Sequence, residues 1–311
     1  MVDDECSNLT CSDVEDNVKH TLTSKTRSMS HDSLRVSHHD DEEECRRRSS
    51  NDSSDDDDSH CEDDGSDDDD SAETIALFGV DGRTGHHFLR LALDAGYKVR
   101  ALVTPTTKLE GQAEFEDLHT VFGTVNEHAK IQEVVYSSTY VVCMVGETAL
   151  ANATQSSGGG YPKEYMLQFV KTLFRVMGKQ DDPPIKGFLF QATSLAKNQW
   201  GELPALSAHI RNYWIRRRTL QYLQDLDGVI QYIHSQSWGA DADDDKVAFP
   251  YIITRPTSFL RDGRSTKKLQ ASKSQPGFFP YCNADLAEFT LNALKMPKLY
   301  NTCRYVVGDG C

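Results

Sequence analysis

No apolar run in this 311-residue chain is long enough to cross a bilayer. The longest, residues 140–145, falls far short of the roughly 20 residues a membrane-spanning helix needs. No leader is expected either. Met1-Val2-Asp3-Asp4-Glu5 is neither basic nor followed by an apolar segment, which argues against a signal or transit peptide. Eight cysteines are present (Cys6, Cys11, Cys45, Cys61, Cys143, Cys282, Cys303 and Cys311), but none are spaced as C-x-x-C. Without a disulfide framework, a reducing, cytoplasmic setting is expected, and no metal site.

Positive charge is scarce at the N-terminus. Residues 1–71 hold seven Lys/Arg against 24 Asp/Glu, a net of −17, so the whole-chain net of −15 leaves the remainder at +2. Acidic blocks occupy residues 55–58 and 67–70, and apolar residues are few. Such a segment cannot bury enough area to offset its ordering entropy. We therefore expect a disordered acidic tail over residues 1–72 and one folded domain over 73–311. Ser49, Ser50, Ser53, Ser54 and Ser66 stand beside the acidic runs. The tail then reads either as a solvated extension, as a phosphorylated or partner-binding segment, or as an autoinhibitory arm for Arg216–Arg218. That lone basic triplet on a nearly neutral body argues against nucleic-acid binding.

What is present is a strand running into a glycine turn. Residues 74–78 (TIALF) read as a buried strand, Gly79-Val80-Asp81-Gly82-Arg83-Thr84-Gly85 follows, and residues 86–95 read as a helix. The glycines permit a sharp turn and close approach, and the helix N-terminus supplies N–H groups and partial positive charge for a pyrophosphate. The spacing is G-x-x-G-x-x-G, not G-x-G-x-x-G. Strands are expected at 98–103, 119–122, 140–145, 185–190, 251–254 and 303–307. Helices are expected at 129–136, about 162–178, 208–236 with a kink at Gly228, and 284–295. Residues 257–280 read as irregular, 147–160 as a polar loop and 238–246 as an acidic insertion. This alternation means an α/β fold with a doubly wound, mostly parallel sheet.

Five landmarks carry a resemblance over residues 73–309. They are the glycine turn, Val145-Gly146 closing an apolar strand, Ala192-Thr193-Ser194, Tyr251-Ile252-Ile253-Thr254-Arg255-Pro256, and Asn283-Ala284-Asp285-Leu286-Ala287. Together they resemble the atypical short-chain dehydrogenase/reductases, the NAD(P)-binding group that includes NmrA-like proteins and the flavin reductase (biliverdin reductase B) type. The resemblance implies a Rossmann-like domain whose cofactor contacts come from Gly79, Asp81, Gly82, Arg83, Thr84, Gly85, Thr104, Lys108, Gly146, Thr193 and Pro256. Asp81 departs from the family's usual Thr; an acid there repels a pyrophosphate unless it caps the helix and points away. Gly123-Thr124-Val125 stands where the family has Gly-Asp-Leu/Val. No acid ends the second strand to hold a ribose 2′-hydroxyl, while Arg83 and Lys108 are available for a 2′-phosphate. NADP is therefore expected over NAD.

The group's reductases often use Ser, Tyr and Lys. Ser194 matches the Ser, and no Y-x-x-x-K follows it. Its nearest stand-in is Tyr213 with Arg217, which at i, i+4 share one face of a continuous helix. The alternatives are that Tyr213 and Trp214 only pack, that Arg216–Arg218 is a solvated face, and that His209 serves as an acid. The resemblance implies an NADPH-dependent oxidoreductase acting on a small carbonyl, quinone or flavin-like acceptor. The other reading is a non-catalytic NAD(P)-binding regulator or assembly factor acting through a protein partner.

Overall fold

The computed structural model describes residues 72–105, 116–146, 161–213, 215, 217–237, 249–257, 260–263, 268–275 and 281–308. By internal contacts the chain divides into Met1–Ser66 and Asp67–Cys311, and every described residue lies in the second unit. The acidic tail, the loop at 147–160 and the insertion at 238–246 lie outside the described residues, as does Lys108.

The strand β1 (Thr74–Phe78) lies parallel between β2 (Lys98–Val103) and β4 (Tyr140–Cys143). From β1 the chain moves outward through α1 (Arg83–Asp94) and β2 to β3 (Leu118–Phe122), then returns through α2 (His128–Val135) to β4 on the other side. It continues through α3 (Tyr165–Met177), β5 (Gly187–Gln191), α4 (Ala205–Tyr213), α5 (Arg217–Ser237) and β6 (Tyr251–Arg255). The short strands β7 (Leu260–Arg261), β8 (Leu269–Ser272) and β9 (Tyr281–Cys282) follow, then α6 (Asn283–Ala293) and β10 (Thr302–Gly308). The eight-stranded sheet has the order β3-β2-β1-β4-β5-β6-β10-β8. The winding reverses between β1 and β4, so a crevice opens at their carboxyl ends.

Helices cover both faces, which is why β4 is buried at every position and β1 at all but its first. Phe78, Phe188, Phe190 and Ile253 pack on Met166, Phe169 and Leu173 of α3 and on Leu226 and Ile230 of α5. Ile75, Leu77, Val142 and Ile252 point the other way, onto Phe88 and Leu89 of α1 and Leu286 and Phe289 of α6. Among the described residues, no helix is long and apolar enough to cross a membrane.

Two expectations are corrected. The region 257–280 is not irregular throughout, because Leu269–Ser272 pairs antiparallel with β10 and closes the sheet edge. Its weak burial pattern hides it in the sequence; the partner strand makes it a strand. The single helix at 208–236 is two helices, ending at Tyr213 and restarting at Arg217, and α5 runs through Gly228 without interruption. The cause is an ion pair. Arg211 and Asp227 meet at 2.6 Å, whereas 16 residues of one straight helix would separate them by about 24 Å. The chain must fold back between them.

Asp225, two residues from Asp227 on the same helix, secures α3. Its carboxylate accepts bonds from Tyr161 OH (2.5 Å), Met166 N–H (2.7 Å) and Leu167 N–H (3.2 Å). It thus caps a helix whose own N-cap residue, Glu164, sits in the left-handed region at φ 56° and offers no side-chain bond. Burial, and then the Asp225 carboxylate, push the Tyr161 hydroxyl far above its ordinary pKa, so it stays a donor. Asp225→Ala leaves these buried donors without their acceptor and should cost about 3 kcal/mol, read as a shift in the urea unfolding midpoint. A loss under about 1 kcal/mol would contradict the capping role.

Candidate nicotinamide-dinucleotide site

The crevice is shaped by two glycines. Gly79 leaves β1 at φ +94°, and a Cβ there would stand 2.5 Å from the carbonyl carbon of Met144, just past β4. Met144 N–H donates to Phe78 O at 2.8 Å, holding the turn beside the end of β4. Gly82 N–H donates to the Gly79 carbonyl at 3.1 Å, and a Cβ at Gly85 would meet that oxygen at 2.1 Å. The first turn of α1 therefore rests directly on the turn backbone. Gly82 is the N-cap residue, no side chain caps the helix, and the first turn holds no acid. A helix start of this kind, aimed over the end of a parallel sheet, fits the diphosphate of a dinucleotide.

Asp81 precedes the N-cap residue of α1, and its side chain reaches across to β2. Its Oδ2 accepts from Thr104 N–H at 3.4 Å, placing the carboxylate at the carboxyl end of β2. Arg83 is tied away on the other side. Its Nη1 meets Asp262 Oδ2 at 2.7 Å, in a pair that is mostly exposed. Asp262 Oδ1 accepts from Asn283 Nδ2 at 2.9 Å, and Asn283 Oδ1 accepts from the buried Thr84 hydroxyl at 2.9 Å. Thr84 thus ties α1 to α6. Asp262 carried no sequence signal, and Asn283 was visible only as a landmark.

The other wall follows β5. Ser194 N–H donates to the Pro256 carbonyl at 2.7 Å, so Thr193, Ser194 and Pro256 lie together where β5 and β6 end. Arg211 and Asp227, unmarked in the sequence, hold this loop: Arg211 Nη1 donates to Leu195 O at 3.1 Å, and Asp227 Oδ1 accepts from Lys197 N–H at 2.7 Å. The buried Arg255 donates to Ala196 O and lies over the Tyr305 ring at 4.1 Å. Gly146 follows β4 at the surface, with nothing within 4 Å of where its Cβ would be.

Tyr213 is not brought to this wall. It is 76% exposed, stacks against His209 at 4.7 Å, and ends α4, whereas Arg217 begins α5. The expected Tyr213–Arg217 face does not form, because the Arg211–Asp227 pair turns the chain between them. His209 is also exposed. Burial pushes the Cys143 thiol up to about 12, which keeps it neutral and unreactive in β4.

Gly79→Ala sets a side chain against backbone at a positive φ and should cost at least about 2 kcal/mol while abolishing nucleotide binding. Gly146→Ala meets open space and should leave the denaturation midpoint unchanged. Chemical denaturation of both variants checks this; equal losses would contradict the packing described.

Comparison with known proteins agrees with this geometry. A family model described as the NmrA-like family matches residues 71–157, which include β1, the glycine turn, β2, β3 and β4. The anaerobillin reductase ChuY of Escherichia coli O157:H7 superposes with a TM-score of 0.55 at 16% identity, over 77% of this chain and 98% of its own. A short-chain dehydrogenase/reductase of Veillonella parvula DSM 2008, solved in complex with NADP, superposes at 0.53 and 14% identity, over 76% of this chain and 95% of its own. A candidate NADH-flavin reductase of Streptococcus pneumoniae TIGR4 gives 0.51 at 13%, over 76% and 100%. At these identities the likeness is one of fold alone: the chain has a Rossmann-like fold, with an NmrA-like match over residues 71–157.

Proposed function

We propose that this chain is an NAD(P)H-dependent oxidoreductase acting on a small carbonyl, quinone or flavin-like acceptor. The observation that carries the reading is the glycine turn packed under an uncapped, acid-free helix start at the β1–β4 crevice. Nicotinamide, when bound, supplies the hydride. The chain's own residues do the rest. The N-terminus of α1 takes the diphosphate charge, and the Gly79 turn admits its close approach. The loop 193–196, pinned by Arg211, Asp227 and Arg255, fixes Ser194 beside Pro256, where its hydroxyl orients an acceptor oxygen. Tyr213 ends α4 and Arg217 begins α5, so the two do not share one helix, which favours acceptors that draw their proton from water. The NADPH expectation rests on Arg83 and Lys108; Arg83 is engaged by Asp262.

The exposed Tyr213 also favours a second reading, a regulator that binds the dinucleotide and engages a protein partner, with the acidic N-terminal segment as the contacting part. Titration of the full chain with NADH and NADPH, followed by quenching of tryptophan emission, should give micromolar binding. Turnover with quinone, flavin or aldehyde acceptors should then fall about tenfold in kcat for Ser194→Ala, with nucleotide affinity unchanged. Tight binding without turnover supports the regulator. No binding at millimolar nucleotide overturns both.

A further inference from the structure

We propose that Asp81 makes this site selective for NADH, by standing where an NAD-binding Rossmann domain places the acid that holds the ribose 2′-hydroxyl. The inference rests on the dinucleotide reading above. In such domains that acid ends the second strand, about 20 residues beyond the glycine turn. Here the end of β2 reads Leu102-Val103-Thr104 and carries none. The fold supplies one from the turn itself: the Asp81 carboxylate crosses to Thr104 and accepts its N–H, so a side chain 23 residues earlier reaches the same corner.

Two chemical consequences follow. A free ribose 2′-hydroxyl arriving at this corner donates to a carboxylate, a charge-assisted bond. A 2′-phosphate arriving there brings close to two negative charges against a third in a partly buried position. The cation nearest in sequence does not offset this. Arg83 is held at 2.7 Å by Asp262, whose other oxygen accepts from Asn283, so turning Arg83 to a phosphate leaves Asp262 without its cation. That exposed pair is weak, and Arg83 is therefore a secondary influence. The Asp81 charge is the determinant.

The test is direct binding to the full chain, read by tryptophan quenching or calorimetry rather than by turnover. Wild type should bind NADH at least about tenfold more tightly than NADPH. Asp81→Asn, which removes the charge and keeps the shape and an acceptor oxygen, should strengthen NADPH binding and bring the two dissociation constants within about threefold. Asp81→Thr should do the same without the amide. Thermal denaturation of each variant confirms that the fold persists, and Asp81→Asn serves if the threonine variant does not fold. Wild type that prefers NADPH overturns the proposal, as does a preference left unchanged in Asp81→Asn. No binding of either nucleotide to wild type is a different result: it overturns the dinucleotide reading and this proposal with it.

Discussion

The approach of the Gly79 carbonyl to the first turn of α1 governs the rest of the site. With room for no Cβ at Gly85, the helix start sits on the turn backbone, and the turn in turn lies against Met144 beyond β4. The turn, the helix that follows it and the distant end of β4 are thereby fixed at one point without a side chain among them. The helix start is consequently aimed at the crevice rather than at another part of the protein, and the N–H groups of its first turn carry the partial charge that attracts a diphosphate. Thr84, one residue into this turn, anchors the same helix to α6 through Asn283. The glycine-turn end is thus backbone-built and largely independent of side-chain identity.

The wall along β5 is built in the opposite way, from side chains reaching across. Asp225 and Asp227 lie on one helix yet hold two different structures, the start of α3 and the loop after β5. A buried carboxylate is tolerable only when its lone pairs are taken up, and here backbone N–H groups, Tyr161 and Arg211 do so. Such an arrangement adds more to positional definition than to net stability. It places Ser194 with the backbone of Pro256 while leaving Tyr213 outside, so the two residues that a Ser/Tyr mechanism joins are separated by the same ion pair that orders the loop.

Charge divides the site further. The helix start is free of acid, whereas the corner beyond β2 and the far side of the turn hold Asp81 and Asp262. A dinucleotide would meet favourable charge at its diphosphate and an acidic environment at its adenosine ribose. That contrast links the fold to cofactor choice more closely than the glycine pattern does.

The sequence by itself determined the local elements and the glycine turn. Residues 74–78 and 98–103 were legible to the residue as strands: the first is apolar after Thr74 because both of its faces are covered, and the second alternates polar and apolar at Lys98, Val99 and Arg100 before closing on Ala101-Leu102-Val103. The glycine spacing located the turn, because its close approaches admit no other residue. What the tertiary structure decided was every relation between residues far apart in the chain. The i, i+4 spacing of Tyr213 and Arg217 is compatible with one helix, and only the Arg211–Asp227 contact breaks it. Nothing in Leu269–Ser272 declares a strand until β10 lies beside it. The end of β2 carries no acid of its own, because the carboxylate that sits there, Asp81, comes from another segment. Local patterning fixes backbone conformation through short-range sterics and burial, while the position of a charge depends on which segments the fold brings together.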